Sequence, residues 1–230
     1  MLKHPLAFLA FPIALTSATA LAATTSTLIA TQNAQLDSYA NSPAFVDGGV
    51  MSVFSNNYLS RDLLQFDLSS IPDNAIPVSA KLYLYHAATA AGNGVISALR
   101  MQDDTWQQNT VTWNSYLPSF GNAAWLGESS YQPYHGAGVW VLDVTKWNSS
   151  TDLADNKFTV MLQYSQGELD GYYRQSIFYT ALTPNPNAGY AGDLRPYLEI
   201  TYTAAVPEPE TWFMLLAGLG LVGWTARQRR

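Results

Sequence analysis

The middle of the chain alternates apolar and polar side chains with a period of two, which is typical of β-strands with one buried face. In residues 78–86, for example, Leu82 and Leu84 fall on one face, whereas Tyr83 and Tyr85 fall on the other. The pattern predicts strands at residues 26–30, 50–55, 61–68, 78–86, 95–102, 139–143, 157–164, 175–179 and 197–202. Because the strands are short and no long 3.6-residue pattern occurs, we expect an all-β fold, an antiparallel β-sandwich or jelly roll.

The inward positions of these strands predict the core. Its expected members are Leu64, Phe66, Leu82, Leu84, Val160 and Leu162. One short helix is predicted at residues 146–150, with Thr145 as its N-cap. Residues 114–137 show no regular alternation and are predicted to be irregular.

The first 22 residues have the layout of a secretory signal peptide. Lys3 and His4 precede a short apolar run, and small residues follow up to Ala22. This order predicts cleavage between Ala22 and Ala23. The alternative is an N-terminal anchor helix, although the apolar run is short for a membrane span, which needs about 20 residues.

The last 25 residues form a second targeting segment. An apolar stretch with a tryptophan near each end, residues 211–224, is predicted to be a helix that holds the chain at a membrane before processing. Polar signals flank it on both sides: Pro207, Glu208, Pro209, Arg227, Arg229 and Arg230. The alternative is a buried core helix. The segment resembles a PEP-CTERM sorting signal, which implies export in a Gram-negative bacterium that makes biofilm exopolysaccharide, and processing by a membrane enzyme of the exosortase type.

Removing both ends leaves one predicted domain, residues 23–205, between the signal peptide at 1–22 and the sorting segment at 206–230. This domain has seven Lys and Arg against 15 Asp and Glu, a net charge of −8. The acidic balance argues against nucleic-acid binding, which needs a basic surface. The chain has no Cys and only three His, so a thiolate site is excluded and a multi-histidine metal site is not expected.

Four segments of this domain resemble the DNRLRE family of β-sandwich modules in secreted surface proteins of bacteria and archaea. The segments are 63–72 with 80–85, the W-x-x-x-T-V-T-W-N box at 106–114, the L-D-V-T at 142–145, and the R-P-Y-L-E-I-T-Y at 195–202. Gln108 stands where that family usually has Glu. Some members of the family are treated as carbohydrate-binding modules, so the resemblance implies a sandwich that binds extracellular polysaccharide.

Aromatic residues in loops are the candidate ligand-binding residues, because aromatic faces stack on the C–H faces of sugar rings. Trp125, Tyr131 and Tyr134 are predicted to form one platform, and Tyr172 a second site at which only one of two adjacent tyrosines is presented. The alternative for the platform is that its rings cover the sandwich edge. Trp106 and Trp113 are interpreted as packing residues.

No catalytic motif is found, so the predicted function is a non-catalytic, exported, surface or matrix module that binds polysaccharide. The alternatives are a structural matrix protein without a specific ligand, and a polysaccharide lyase or glycoside hydrolase. No cofactor is predicted. A structural calcium ion stays open, with Asp103 and Asp104 as weak candidates because the sequence lacks a calcium-loop motif.

Overall fold

A computed structural model describes residues 22–39, 49–91, 94–130, 137–147, 152–165, 172–180 and 193–204, together with Leu215, Leu216, Gly218, Leu219 and Arg227. Ten strands run through these residues: β1 Thr24–Asp37, β2 Val50–Ser55, β3 Leu59–Asp67, β4 Ala75–Ala91, β5 Val95–Met101, β6 Ala124–Ser130, β7 Ala137–Leu142, β8 Lys157–Tyr164, β9 Arg174–Tyr179 and β10 Tyr197–Ala204. The helix α1, Trp113–Tyr116, and the 3₁₀ segments Leu117–Asn122 and Val144–Lys146 join them. The predicted all-β antiparallel fold is confirmed.

The strands form two antiparallel sheets that share two long strands. In sheet A, β10 lies between the first half of β1 and the first half of β4, and β7 pairs with the other side of β4. In sheet B, the second half of β1 pairs with β3, which is followed by β8, β5 and β6. β2 and β9 connect the start of β3 to the second half of β4.

β1 and β4 pass from one sheet into the other at irregularities in their pairing. The register shifts between Ala30 and Gln32 in β1, and between His86 and Ala88 in β4. An extra residue in one strand of a pair bends that strand and increases its twist. The bends therefore allow each of these two strands to belong to both sheets of the sandwich.

The main core lies between the two sheets. The six predicted core residues are fully buried there, and burying a large apolar side chain contributes about 1.5–3 kcal/mol. Trp140 lies among them and donates a hydrogen bond from its indole nitrogen to the Ile96 carbonyl at 2.8 Å. The bond removes the penalty of burying an unpaired indole N–H.

A second apolar layer covers the outer face of sheet B. It contains Ala34, Leu36, Leu63, Met101, Trp106, Val111, Tyr116 and Met161. Trp106 and Tyr116 come from the segment 102–123, which folds back over the sheet, so the predicted packing role of Trp106 is confirmed. Gln108 fixes this segment to β1, because its side-chain oxygen accepts from the Asn33 N–H at 3.3 Å and its own N–H donates to Gln32 at 3.2 Å.

Residues 114–137, predicted to be irregular, contain regular structure where they are described. A capping box between Thr112 and Ser115 starts α1, and β6 begins at Ala124. The glycine in the middle of β6 hid this strand from the alternation pattern. Gly127 is there because a Cβ atom at this position would lie 2.4 Å from the Val141 carbonyl oxygen of the neighbouring chain segment.

The predicted helix cap at Thr145 is wrong. The described turn at this place is the 3₁₀ segment Val144–Lys146, and its N-cap is Asp143, whose carboxylate accepts from the Thr145 N–H at 3.0 Å. Asp is a stronger cap than Thr because its carboxylate is charged and accepts more readily. Residues 148–150 of the predicted helix lie outside the described residues.

Most of both predicted targeting segments lies outside the described residues. Ala22 and Ala23 directly precede β1, and the five described residues beyond 204 are helical. Pro207, Glu208, Pro209, Arg229 and Arg230 are not described. Within the described part of the chain, no helix is long and apolar enough to cross a membrane. Anchoring by the C-terminal segment therefore stays a prediction.

Candidate functional site

Trp125 ends a row of apolar side chains that crosses the outer face of sheet B. The register aligns Leu63 with Met161, Met161 with Leu99, and Leu99 with Trp125. Segment 102–123 buries the inner part of this row, whereas Trp125 lies on the edge strand β6 and is 50% exposed. A large ring is thus presented to solvent from a strand whose neighbours are tightly packed.

Polar side chains form the adjacent row on the same face. Gln163 pairs with Ser97, and Ser97 pairs with Glu128, which is exposed. The Ser97 hydroxyl donates to a Glu128 carboxylate oxygen at 3.0 Å, and this bond orients the carboxylate. An exposed indole beside a carboxylate and an amide provides stacking area and hydrogen-bonding groups. We call Trp125, Ser97, Glu128 and Gln163 the outer-face site.

The covering segment contributes a cation–π cluster to the same face. The Trp113 and Phe120 rings meet edge to face, with centroids 5.0 Å apart. The Arg61 guanidinium carbon lies 4.5 Å from the Phe120 ring centroid and 5.2 Å from that of Trp113. These contacts are attractive electrostatically. They hold Trp113 in a packed position, in agreement with its predicted role.

Tyr172 belongs to a second exposed aromatic surface, next to the start of β9. Its ring is 70% exposed and lies 5.6 Å from the Arg174 guanidinium carbon. Tyr173 is also exposed, by 44%, so the prediction that only one of the two tyrosines is presented is wrong. Both residues precede the first residue of β9, Arg174, and strand alternation does not apply to them.

Three further aromatic residues from distant parts of the sequence extend this surface. Phe54 meets Tyr173 edge to face at 5.1 Å and stacks on Tyr58 at 4.4 Å. Tyr39 lies 5.9 Å from Tyr58 and is strongly exposed. Sequence reasoning missed this cluster because 39, 54, 58 and 173 meet only through strand pairing.

The outer face of sheet A carries a different aromatic pair. Tyr83 and Tyr197 stack with centroids 4.4 Å apart and an interplanar angle of 8°. Burial raises the pKa of Tyr197, and the neighbouring Tyr85 adds to this shift. One face of each ring is covered by the other ring, so this pair offers less free ring surface than Trp125. The pair was not predicted from the sequence; the outward alternation of Tyr83 and Tyr85 is the signal that could have indicated it.

The predicted calcium candidates are engaged in other contacts. Asp104 pairs with Arg100 at 2.9 Å, and Asp152 pairs with the same guanidinium, all three being buried. Burial acts to lower the pKa of Arg100, but the bonds to Asp152 and Asp104 outweigh it and raise that pKa. The triad lines a cavity of about 230 Å³.

Asp103 is held by its own turn. Burial acts to raise its pKa, but hydrogen bonds from Thr105 and Ser119 outweigh burial, and the pKa of Asp103 lies below its usual range. Among the described residues, no three His, Cys, Asp or Glu side chains gather as metal ligands.

The chain is thus an antiparallel β-sandwich that exposes aromatic side chains on its surface. The model of carbohydrate-binding module family 96 matches residues 18–176, and the chain belongs to that family. The model of the PEP-CTERM protein-sorting motif matches residues 205–230. Comparison with curated proteins gave no match.

These matches confirm both resemblances seen in the sequence, the first at the level of a carbohydrate-binding module. The fold continues beyond the matched residues, because β10 completes sheet A between β1 and β4. The sorting motif marks an exported protein directed to the cell envelope. Tyr131 and Tyr134, the other two members of the predicted platform, lie outside the described residues.

Proposed function

We propose that the protein is a non-catalytic module that binds extracellular polysaccharide at the outer-face site. The observation that carries this proposal is Trp125, a half-exposed indole held on β6 at the end of a packed row. Binding residues concentrate where a rigid scaffold presents them. Family membership supports a carbohydrate as the ligand.

The chemistry of the site suits a sugar chain that lies along the face of the sheet. The indole of Trp125 stacks on the apolar C–H face of one ring, while Glu128 and Gln163 accept from and donate to hydroxyl groups. The net charge of −8 over residues 23–205 disfavours polyanionic chains, so a neutral glycan is the preferred ligand. A shallow surface of this kind gives a Kd of about 10⁻⁵–10⁻³ M.

The sorting motif supports the cellular part of the proposal. An exosortase-type enzyme acts near Pro207, Glu208 and Pro209, after the apolar segment and the terminal arginines have held the exported chain at the membrane. The module then functions at the cell surface or in the extracellular matrix. Tyr172 and its neighbours provide a second place at which the same polysaccharide is bound.

The test is titration of the purified protein with a panel of neutral and acidic polysaccharides, together with an assay for released products. Trp125→Ala is expected to weaken binding by at least about tenfold, as truncation of a central aromatic does at other interfaces. The matched control is Val141→Ala, which removes an exposed apolar side chain, 67% exposed, from the outer face of sheet A. This control is expected to bind normally.

Other outcomes separate the alternatives. Unchanged binding by Trp125→Ala would move the site to another surface, and the equivalent Tyr172→Ala measurement would then locate it. No binding to any polysaccharide would favour a structural matrix protein. Release of shortened glycan products would favour a lyase or a hydrolase.

A further inference from the structure

Asp62 is a carboxylate in the interior of the sandwich. It lies on β3 and shares the inward face of that strand with Leu64, and its side chain has no solvent exposure. Neither carboxylate oxygen has a hydrogen-bond partner among the residues that the structure describes. A buried, unpartnered carboxylate is costly and calls for a specific compensating group.

A second carboxylate lies one diagonal step away. The register places Gln35 opposite Asp62, and Asp37 opposite Ser60. Asp37 and Asp62 are therefore on the same face of the β1–β3 pair, where diagonal neighbours are within reach of each other. Asp37 is partly buried, and the Gln35 amide donates to it at 3.2 Å.

The charge of Asp37 opposes ionisation of Asp62. Burial is the largest cause of the strongly raised pKa of Asp62, and the negative charge of Asp37 raises it further. The nearby N–H of Ser52 lowers the pKa of Asp62 in part. The hydrogen bond that this N–H donates, however, goes to Gln35 Oε1 at 2.9 Å. No described contact neutralises the two acids.

Polar groups of β1, β2 and β3 meet beside the two acids, because Gln35 lies opposite Asp62 and Ser60 lies opposite Asp37. The Ser60 hydroxyl donates to the Ser52 carbonyl at 2.8 Å, while Gln35 caps the Ser52 N–H. The set thus consists of two carboxylates, one amide, one carbonyl and one hydroxyl, all oxygen donors. Ca²⁺ takes six to eight oxygen ligands of these kinds, with water completing the shell.

We propose that Asp62 and Asp37 bind a calcium ion that ties β1, β2 and β3 together at this end of the sandwich. The ion supplies the positive charge that these buried acids lack.

The experiment compares three forms of the full chain after treatment with a chelator: the unaltered protein, Asp62→Asn, and the control Asp67→Asn. Asp67 lies on the same strand but is exposed. Calcium is added at matched ionic strength, and melting temperature and bound calcium are measured. We expect one ion per chain and a rise of about 5–10 °C at a hundredfold excess over Kd for the unaltered protein and the control.

Asp62→Asn is expected to bind no calcium and to show no rise. Asparagine has nearly the shape of aspartate but carries no charge. If Asp62 has no part in calcium binding, the unaltered protein should not respond to calcium, and Asp62→Asn should be at least as stable. The proposal is overturned if the chelated protein does not respond to calcium, or if Asp62→Asn is more stable than the calcium-loaded protein. Should that variant fail to fold, calcium stoichiometry of the unaltered protein and of Asp37→Asn decides the question, and stoichiometry near zero in the unaltered protein overturns it.

Discussion

The indole nitrogen of Trp106 donates a hydrogen bond to the Thr159 hydroxyl at 3.0 Å, and both residues are buried. Thr159 lies on β8 in the middle of sheet B, and Trp106 belongs to the segment that covers the outer face of this sheet. The bond therefore fixes the cover to the strand that it covers. The outer-face site lies at the border of that cover, so its shape depends on this attachment.

Replacing Trp106 by Ala should destabilise the protein by about 3–5 kcal/mol, because it creates a cavity in the second apolar layer and leaves Thr159 without its indole partner. The measurement is the free energy of unfolding in urea. Trp125→Ala is the matched control and should change stability by less than about 0.5 kcal/mol. Equal costs for the two tryptophans would contradict the distinction between a packed and a presented ring.

Gly127 and Gly121 give a matched pair of glycine substitutions. A Cβ at Gly127 would lie 2.4 Å from a backbone oxygen, whereas a Cβ at Gly121 meets nothing within 4 Å. We expect Gly127→Ala to cost about 1–3 kcal/mol and to displace β6, while Gly121→Ala is nearly neutral. Thermal unfolding measures both, and binding of polysaccharide should fall only for Gly127→Ala, because β6 carries Trp125.

Replacing Arg100 by an uncharged residue should leave two buried carboxylates without a positive partner. Arg100→Met is expected to cost about 3–5 kcal/mol, since Asp104 and Asp152 keep their buried positions and lose their counter-charge. The control is Arg195→Met, which breaks the partly exposed pair with Asp193 and should cost at most about 1 kcal/mol. If both variants lose the same free energy of unfolding, burial does not explain how much the Arg100 ion pairs contribute to stability.

The raised pKa of Asp62 predicts how stability depends on pH in the presence of a chelator. Between the usual carboxyl pKa and the raised one, the folded protein binds more protons than the unfolded chain, so its stability falls as pH rises, by about 1.4 kcal/mol per pH unit. Carboxyls with lowered pKa values, such as Asp103, act in the opposite direction. The difference between the unaltered protein and Asp62→Asn isolates the contribution of Asp62, and a difference independent of pH contradicts the prediction.

Processing at the sorting segment predicts a defined mature C-terminus. Protein recovered from the surface of its native host should have lost the residues after about Glu208, as well as the first 22 residues, and intact mass measures both ends. Retention of residues 212–230 would indicate a permanent anchor. If the processing enzyme recognises the basic end together with the Pro-Glu-Pro motif, replacement of the three terminal arginines should leave the protein unprocessed.

The sequence was sufficient for most of the fold, because one-sided burial produces alternation. All nine predicted strands are present, and the six core residues follow from their inward positions. β6 was missed for a physical reason. Gly127 allows the close approach of β7, and the small polar residues at the end of β6 add no apolar positions, so the sequence shows no alternating pattern there.

Only single residues of the candidate site could be predicted from the sequence, and not the groups that surround them. Trp125 is half-exposed, but it lies on β6 and not in the predicted loop, and its polar neighbours Ser97 and Gln163 come from β5 and β8. Their proximity depends on strand order, which alternation does not encode. The same holds for the cluster around Tyr173, and for Asp62, whose position on an inward face conflicts with its charge.

The place of β10 has a mechanical consequence. This strand leads into the sorting segment and is hydrogen-bonded on both sides, to β1 and to β4. A pulling force that enters through the C-terminus and is resisted at Trp125 must therefore load two ladders at once. Because each partner of β10 also continues into sheet B, the load passes from these two ladders into both sheets. Under the proposed attachment by this end, flow and shear would therefore pull on both ladders of β10 together.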